Sequence, residues 1–144
     1  MQEVAKYRDC FVCGDRNQAG LKARFYVQDD GSVISELVAG GRFQGYKDIL
    51  HGGILAAMLD EVMIKAVLAK GIIAVTAEMT VKFKRPAKTG QKLRFTGTIV
   101  DEHRRITRTV GSAVNEEGQE VATAKATYLE AKGNLKSALV DSVE

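Results

Sequence analysis

The stretch HGGILAAMLDEVMIKAVLAKG, residues 51–71, decides the fold. It is almost entirely apolar, and residues 52–69 predict the only long helix, which is ended by Gly71. A helix turns by about 100° per residue, so one apolar set shares the face that should pack on a sheet. A second apolar set points elsewhere, which indicates a helix covered on more than one side, with a second subunit as the expected further cover. The first set is Leu55, Leu59, Val62 and Ala66, and the second is Ile54, Ile64, Val67 and Leu68.

Two adjacent acids, Asp60 and Glu61, interrupt this apolar stretch. Glu61 lies four residues before Lys65, the favourable order for a helical ion pair, so we expect a solvated pair. Asp60 has apolar residues one turn before and after it, and no cation lies within four residues. A buried carboxylate without a partner is costly, so Asp60 needs a specific reason to be there. We predict a catalytic carboxylate in a cleft; the alternative is a structural aspartate that accepts hydrogen bonds from backbone or from a neighbouring chain.

The helix is preceded by His51 and begins with Gly52 and Gly53. The first turn of a helix has free N–H groups and a partial positive charge, and glycines let a ligand approach the backbone closely. Such a terminus can polarise a carbonyl group and stabilise an oxyanion. We expect His51 to orient the loop through hydrogen bonds, and a general base is its alternative role.

Six further segments show the residue alternation and the turn signals of β-strands. Short connections between long strands indicate antiparallel neighbours. One long helix against a curved antiparallel sheet of about five or six strands predicts an α+β fold, in which the sheet wraps around the helix. The predicted strands are residues 21–29, 33–39, 72–84, 91–101, 105–115 and 119–129.

The whole chain, residues 1–144, is expected to be a single domain. Residues 1–20 are predicted to be an irregular lead-in, and residues 131–144 a frayed extension or a short helix. No apolar run is long enough to span a membrane and no signal-peptide core is present, so we expect a cytoplasmic protein without a membrane partner. The net charge of +3 is too small to demand a nucleic-acid partner, although a basic cluster could hold a phosphorylated small molecule.

The two cysteines, Cys10 and Cys13, lie in the sequence CFVCG. A single CxxC supplies two of the four ligands that a structural zinc site usually needs, and neither His51 nor His103 has partner spacing. We therefore predict reduced structural thiols near a turn and assign no metal and no cofactor. A metal shared between subunits and a redox pair stay open as alternatives.

Three segments together resemble the acyl-CoA thioesterases of the hotdog fold, of the PaaI-like, phenylacetate-pathway type. They are HGGILAAMLDEVM, the following AVTAEMTVKFKRPAKTGQ and the preceding CFVCGDRNQAGL, and the resemblance covers roughly residues 10–130. It implies a long helix wrapped by an antiparallel sheet and a homodimer with one continuous sheet, which pairs into a dimer of dimers. It also implies an active site at the dimer interface.

The resemblance further implies roles for individual residues. Asp60 would act as the general base for water or as the nucleophile, and Thr76 would orient the water. The backbone N–H of Gly53 from the other subunit would polarise the thioester carbonyl, and Gln44 would be the polar residue of the loop before HGG. Basic side chains suit the phosphates of coenzyme A. The implied substrate contacts are Gly52, Phe83, Lys84, Arg85, Pro86, Ala87, Lys88, Arg104 and Arg105.

The predicted reaction is therefore the hydrolysis of an acyl-CoA thioester to a free acid and coenzyme A. A non-catalytic acyl-CoA binder or sensor is the alternative from another class, and it would not need Asp60. An acyl-thioester dehydratase or hydratase ranks lower, because such a site pairs a histidine with a carboxylate in a longer proline-rich loop, and Pro86 is the only proline. Aryl, hydroxyaryl, phenylacetyl and medium-chain acyl groups all stay open as substrates.

Overall fold

The apolar stretch after His51 forms the central helix of the computed structural model, which describes all of residues 1–144. This helix, α1, spans Gly52–Ala69, as the periodicity predicts. The residues predicted to face the sheet are all buried. Val67, from the second apolar set, is fully buried as well, so the helix is covered on more than one side.

The sheet contains seven antiparallel strands rather than five or six. The strands are β1 Gln2–Glu3, β2 Tyr26–Val27, β3 Val33–Val38, β4 Ala74–Phe83, β5 Lys92–His103, β6 Ile106–Val114 and β7 Glu120–Glu130. The β4, β5, β6 and β7 strands are long and agree closely with the predicted segments. The spatial order of the sheet is β1-β2-β3-β5-β6-β7-β4, so the strand that follows α1 lies at one edge.

The N-terminal region differs most from the prediction. The lead-in was expected to be irregular, but it contains a short strand: Gln2–Glu3 pair with Tyr26–Val27 at the edge of the sheet. The predicted strand 21–29 is correspondingly shortened, because its first half hydrogen-bonds to the lead-in. The Ala23 N–H, for example, donates to the Val12 carbonyl oxygen at 2.9 Å.

The sheet curves around α1 and contacts it most extensively through β5. A Cβ atom on Gly97 would lie 2.3 Å from the Val62 carbonyl oxygen, so only glycine lets the helix approach β5 this closely. On the side that carries Lys65, the cover is the chain's own lead-in: the Lys65 ammonium donates to the Ala5 carbonyl oxygen. The lead-in thus supplies part of the further cover of the helix, while Ile54, Ile64 and Leu68 of the second apolar set are partly buried.

The two remaining irregular regions contain short helices. A 3-10 turn, Gly41–Phe43, lies in the glycine-rich loop before α1. The tail forms α2, Gly133–Ser142, which ends beside the lead-in, where the Arg8 N–H donates to the Ser142 carbonyl oxygen at 3.1 Å. Neither α1 nor α2 combines the length and the apolar character needed to cross a membrane.

Candidate active site

The Asp60 carboxylate is half-buried and accepts hydrogen bonds from two hydroxyl groups of the sheet. The Thr76 hydroxyl lies 3.0 Å from Asp60 Oδ1 and 3.2 Å from Oδ2. The Tyr128 hydroxyl lies 2.8 Å from Oδ1 and 3.0 Å from the Asp60 backbone oxygen. The partners that are absent from the helix thus come from β4 and β7, and they fix the carboxylate in one position.

Strand pairing places these two hydroxyls side by side. Thr76 and Tyr128 are direct register partners, and a β-bulge follows at once, between Thr76 and Glu78. Bulges are common next to active sites, because they redirect side chains. Burial, followed by the charge of Asp60, raises the pKa of Tyr128 far above its ordinary value, so this hydroxyl stays protonated and remains a donor.

Sequence reasoning missed Tyr128. The available signal was the alternation along β7, where Ala122, Ala124 and Ala126 point inward before Tyr128 takes the next inward position. A buried tyrosine hydroxyl needs a polar partner, and an inward tyrosine among alanines therefore indicates a polar group on the facing helix.

The start of α1 differs in detail from a free oxyanion site. His51 caps the helix, and its Nδ1 accepts a hydrogen bond from the Gly53 N–H at 2.8 Å. The N–H of Gly52, one residue earlier, donates to no acceptor in the chain. In this arrangement the helix terminus offers the Gly52 N–H as a free donor, whereas the Gly53 N–H is engaged by His51.

One groove brings most of the predicted substrate contacts together. It has a volume of about 650 Å³ and lies between the loop at the start of α1 and the turn after β4. Two of its cations are engaged with Glu120: Lys84 Nζ lies 2.6 Å from its carboxylate, and Arg85 donates to its carbonyl oxygen at 2.7 Å. The lining includes His51, Gly52, Phe83, Lys84, Arg85, Pro86 and Ala87, and Lys88 is not part of it.

A second groove, of about 510 Å³, contains Gln44, His51 and Gly53. The Gln44 side chain folds back on its own loop, where Oε1 accepts a hydrogen bond from the Asp48 N–H at 3.1 Å. His51 thus borders both grooves, and Gln44 and Gly53 lie in the groove that lacks the basic turn.

Within one chain, two pairs of predicted site residues stay apart. Gly53 and Asp60 are seven residues apart on α1, which corresponds to roughly 10 Å along the helix axis. Arg104 and Arg105 form the turn between β5 and β6, at the opposite end of the strands from Phe83. Seven residues of strand separate the two ends in β6, which is roughly 23 Å.

The neighbouring Glu61 lies in a different environment, and the prediction of a solvated pair with Lys65 is wrong. The Lys65 side chain has 0% exposure and that of Glu61 only 12%, with Nζ and Oε2 3.7 Å apart. Lys65 Nζ also lies 4.4 Å from the centre of the Tyr7 ring. Burial raises the pKa of Glu61 to about 8, a charge on Cys10 adds to this, and the attraction of Lys65 only partly opposes it.

The two cysteines complete this buried cluster as free thiols. Cys10 Sγ lies 3.9 Å from Glu61 Oε1, and Cys13 Sγ lies 4.0 Å from Oε2. A hydrogen bond from Cys13 lowers the pKa of Cys10 to about 5, and the same bond together with burial raises the pKa of Cys13. The structure therefore places CFVCG against the middle of α1, which its sequence gave no means to predict.

Comparison with known proteins agrees with this fold. The sequence profile of the Thioesterase superfamily matches residues 47–122, which is more than half of the chain, and the chain belongs to that family. The match includes α1, the loop before it and the strands that carry Thr76 and the basic turn. A search of curated proteins gives no significant match.

Solved structures with this fold include three informative relatives. A thioesterase superfamily protein is 25% identical, with a TM-score of 0.80; the alignment covers 85% of this chain and 63% of the other, so this chain spans less than two thirds of that relative. A phenylacetic acid degradation-related protein from Ralstonia eutropha JMP134 is 32% identical, with a TM-score of 0.68 and coverages of 76% and 85%. A Streptococcus mutans UA159 protein, solved bound to acetyl CoA, is 23% identical, with a TM-score of 0.70 and coverages of 74% and 86%. The expected hotdog-like α+β fold and the resemblance to phenylacetate-pathway thioesterases are thereby confirmed.

Proposed function

We propose that this chain hydrolyses acyl-CoA thioesters to a free acid and coenzyme A. The observation that carries the proposal is the Asp60 carboxylate, held by the Thr76 and Tyr128 hydroxyls in a position that is only half-buried. A carboxylate fixed in this way can accept a proton from an attacking water. The acetyl CoA bound by the Streptococcus mutans relative supports the same substrate class.

The complete site lies between two copies of the chain. Because Gly53 and Asp60 of one chain are roughly 10 Å apart along α1, they do not reach the same carbonyl group. The β4 strand pairs with β7 on one side only, and an unpaired edge of this kind can pair with the same edge of a second copy. The resulting homodimer has one continuous sheet, and Gly53 of one chain faces Asp60 of its partner; two such dimers then associate.

Hydrolysis in this site needs a base that accepts a proton from water and a donor that stabilises negative charge on the carbonyl oxygen. Asp60 takes a proton from water as the water oxygen forms a bond to the thioester carbon, and Thr76 orients that water. The negative charge that develops on the carbonyl oxygen is stabilised by the N–H of Gly53, which His51 releases, and by the positive end of α1. The carbon–sulfur bond then breaks, and coenzyme A leaves as a thiolate. In an alternative path the Asp60 carboxylate attacks the carbonyl carbon itself, and the carbon–sulfur bond breaks to release the coenzyme A thiolate. Water then hydrolyses the resulting mixed anhydride, which gives the free acid and restores the Asp60 carboxylate.

Coenzyme A lies in the groove beside the turn after β4. Phe83, Pro86 and Ala87 provide apolar contact, and Lys84 and Arg85 provide charge for the phosphates. Lys88 extends this basic turn. Arg104 and Arg105 lie roughly 23 Å away in the same chain, so they contact a coenzyme A whose acyl group is held by another chain of the assembly.

The experiment is the release of free thiol from a panel of phenylacetyl-, hydroxyaryl-, aryl- and medium-chain acyl-CoAs. The wild-type chain is compared with Asp60→Asn and with Asp29→Asn, an exposed carboxylate of the β2–β3 hairpin that serves as the matched control. Thiol release that is lost in Asp60→Asn and unchanged in Asp29→Asn supports hydrolysis. Saturable binding without turnover would instead identify a binder or sensor, and hydrated or dehydrated products would identify the other enzyme class.

A further inference from the structure

The turn formed by Cys10–Cys13 presents two sulfur atoms as hydrogen-bond acceptors. The N–H groups of Val12 and Cys13 point at Cys10 Sγ, at 3.3 Å and 3.5 Å. The N–H of Tyr7 points at Cys13 Sγ at 3.5 Å. Amide donors stabilise the thiolate form of cysteine, and the thiolate is the form that binds metals. The backbone is therefore arranged for negative sulfur atoms before any ligand arrives.

Gly14 holds this turn in a conformation that no other residue allows. A Cβ atom at this position would lie 2.4 Å from the Cys10 backbone nitrogen and 2.7 Å from its carbonyl oxygen. The Gly14 N–H also donates to that carbonyl oxygen, at 2.9 Å. The main chain thus fixes the relative positions of the two cysteine backbones, and one torsion in each side chain sets the place of its sulfur atom.

Glu61 adds a third donor atom from α1. Its carboxylate and the two sulfur atoms all lie within 4.8 Å of one another, close enough to contact a single ion. The Cys13 residue is fully buried, whereas Cys10 is partly exposed, so an ion can enter from that side. Nothing in the proposed hydrolysis uses these three groups, although Glu61 directly follows Asp60.

The charges of the cluster balance when a divalent ion is present. Two thiolates and one carboxylate carry three negative charges, and a divalent ion together with the buried Lys65 carries three positive ones. Lys65 Nζ lies 3.7 Å from Glu61 Oε2, so it can neutralise the remaining charge without occupying the ligand position. Buried charges persist only when they are paired in this way or bound to a metal.

We propose that Cys10, Cys13 and Glu61 bind one thiophilic divalent ion, of which Zn²⁺ is the best match. Zinc binds thiolates strongly and accepts a carboxylate beside them in a tetrahedral arrangement, and water serves as the fourth ligand where the protein supplies three. Binding releases the thiol protons and ties the lead-in to the middle of α1. This revises the sequence prediction of simple structural thiols, and it locates the metal within one chain rather than between subunits.

The test is metal uptake by the full chain after reduction and treatment with a chelator. Titration with Co²⁺ is expected to give one equivalent per chain, with a thiolate-to-cobalt absorption band that Zn²⁺ abolishes by displacement. Glu61→Gln keeps the side-chain volume and removes one ligand, so its Zn²⁺ affinity should fall by about 100-fold or more, and Cys13→Ser should bind no cobalt. Asp60→Asn is the matched control, since it removes the adjacent carboxylate and should leave the affinity unchanged.

A thermal readout separates ligand loss from misfolding. An ion that binds only the folded chain raises Tm with ion concentration, so at equal Zn²⁺ concentration the Tm of wild type and of Asp60→Asn should rise clearly more than that of Glu61→Gln. No uptake by the wild-type chain with both thiols reduced would overturn the proposal. Formation of a Cys10–Cys13 disulfide in preference to uptake at excess Zn²⁺, or unchanged affinity in Glu61→Gln, would also overturn it. None of these outcomes depends on whether the chain hydrolyses acyl-CoA.

Discussion

Asp60 and Glu61 are adjacent acids on one helix, yet they face two different regions of the molecule. Asp60 faces the sheet, where two hydroxyl groups donate to a half-buried carboxylate. Glu61 faces the lead-in, where two thiols and a buried lysine surround a carboxylate that is 12% exposed. The difference arises from the helix geometry, because a step of one residue rotates the side chain by about 100° around the axis.

Two carboxylates of nearly the same chemistry thus acquire different roles from their surroundings. Hydroxyl donors and access to solvent suit a carboxylate that exchanges protons with water. Thiols, burial and a fixed cation suit a carboxylate that binds an ion.

The largest effect is expected from Asp60→Asn. The amide cannot accept the proton of an attacking water, so kcat for acyl-CoA hydrolysis should fall by about 100- to 10,000-fold. The hydrogen bonds from Thr76 and Tyr128 can persist to the amide oxygen, so the chain should remain folded. The measurement is thiol release under saturating substrate, with circular dichroism as the check on folding. Turnover close to that of wild type would remove Asp60 from the mechanism.

Tyr128→Phe should produce the next largest effect. The variant removes one of the two hydroxyls that position Asp60, and a hydrogen bond to a charged group is typically worth 1.5–3 kcal/mol, which corresponds to roughly 10- to 100-fold in kcat. A positioning role predicts that KM stays nearly constant while kcat falls. Tyr26→Phe, at a partly exposed tyrosine of β2, is the control and should change neither constant. An equal loss in both variants would count against a specific role for Tyr128.

On the Glu61 side, Lys65→Met should destabilise the chain by about 2 kcal/mol. Methionine preserves much of the side-chain volume, but the Ala5 carbonyl oxygen loses its donor, and the cost of an unsatisfied group is about 1–3 kcal/mol. Urea unfolding in the presence of a chelator measures this free energy without a contribution from bound metal. Lys70→Met is the matched control, because its pair with Glu102 is exposed and worth about 0–1 kcal/mol. An equal loss of unfolding free energy in both variants would show that the buried Lys65 stabilises the chain no more than the exposed Lys70 does.

The smallest effect is expected from a residue that contacts neither acid. Arg85→Ala should raise KM for acyl-CoA several-fold and leave kcat unchanged, because a phosphate contact made equally in the ground state and the transition state affects binding alone. The difference should shrink at high salt, where exposed charges are screened. Arg94→Ala, on an exposed position of β5, should leave KM unchanged. A drop in kcat for Arg85→Ala would place this side chain nearer the reacting atoms than the groove suggests.

The parts of this fold that could be predicted from sequence are those with a regular period. The limits of α1 followed from the apolar pattern and from the glycines at both ends, and the four long strands followed from alternation and turn residues. Asp60 was identified for a related reason: a charged residue in an apolar helix without a helical partner must find its partners elsewhere.

The surroundings of Glu61 could not be predicted in the same way. Its cover comes from residues 4–13, about fifty positions earlier in the chain, and this segment has no helical or strand period. A Glu–Lys pair spaced by four residues has the same sequence pattern in solvent as under a buried loop, so local reasoning favoured the solvated pair. The short pairing of Gln2–Glu3 with β2 escaped prediction for a similar reason, since two residues show no alternation.

The most direct test of the account measures two properties of the same two variants. Thiol release from acyl-CoA and cobalt uptake are measured side by side for Asp60→Asn and Glu61→Gln. We expect that Asp60→Asn loses hydrolysis and keeps cobalt binding, whereas Glu61→Gln binds cobalt far more weakly and keeps most of the hydrolysis. Loss of both properties to the same extent in both variants would contradict the division of roles between the two acids.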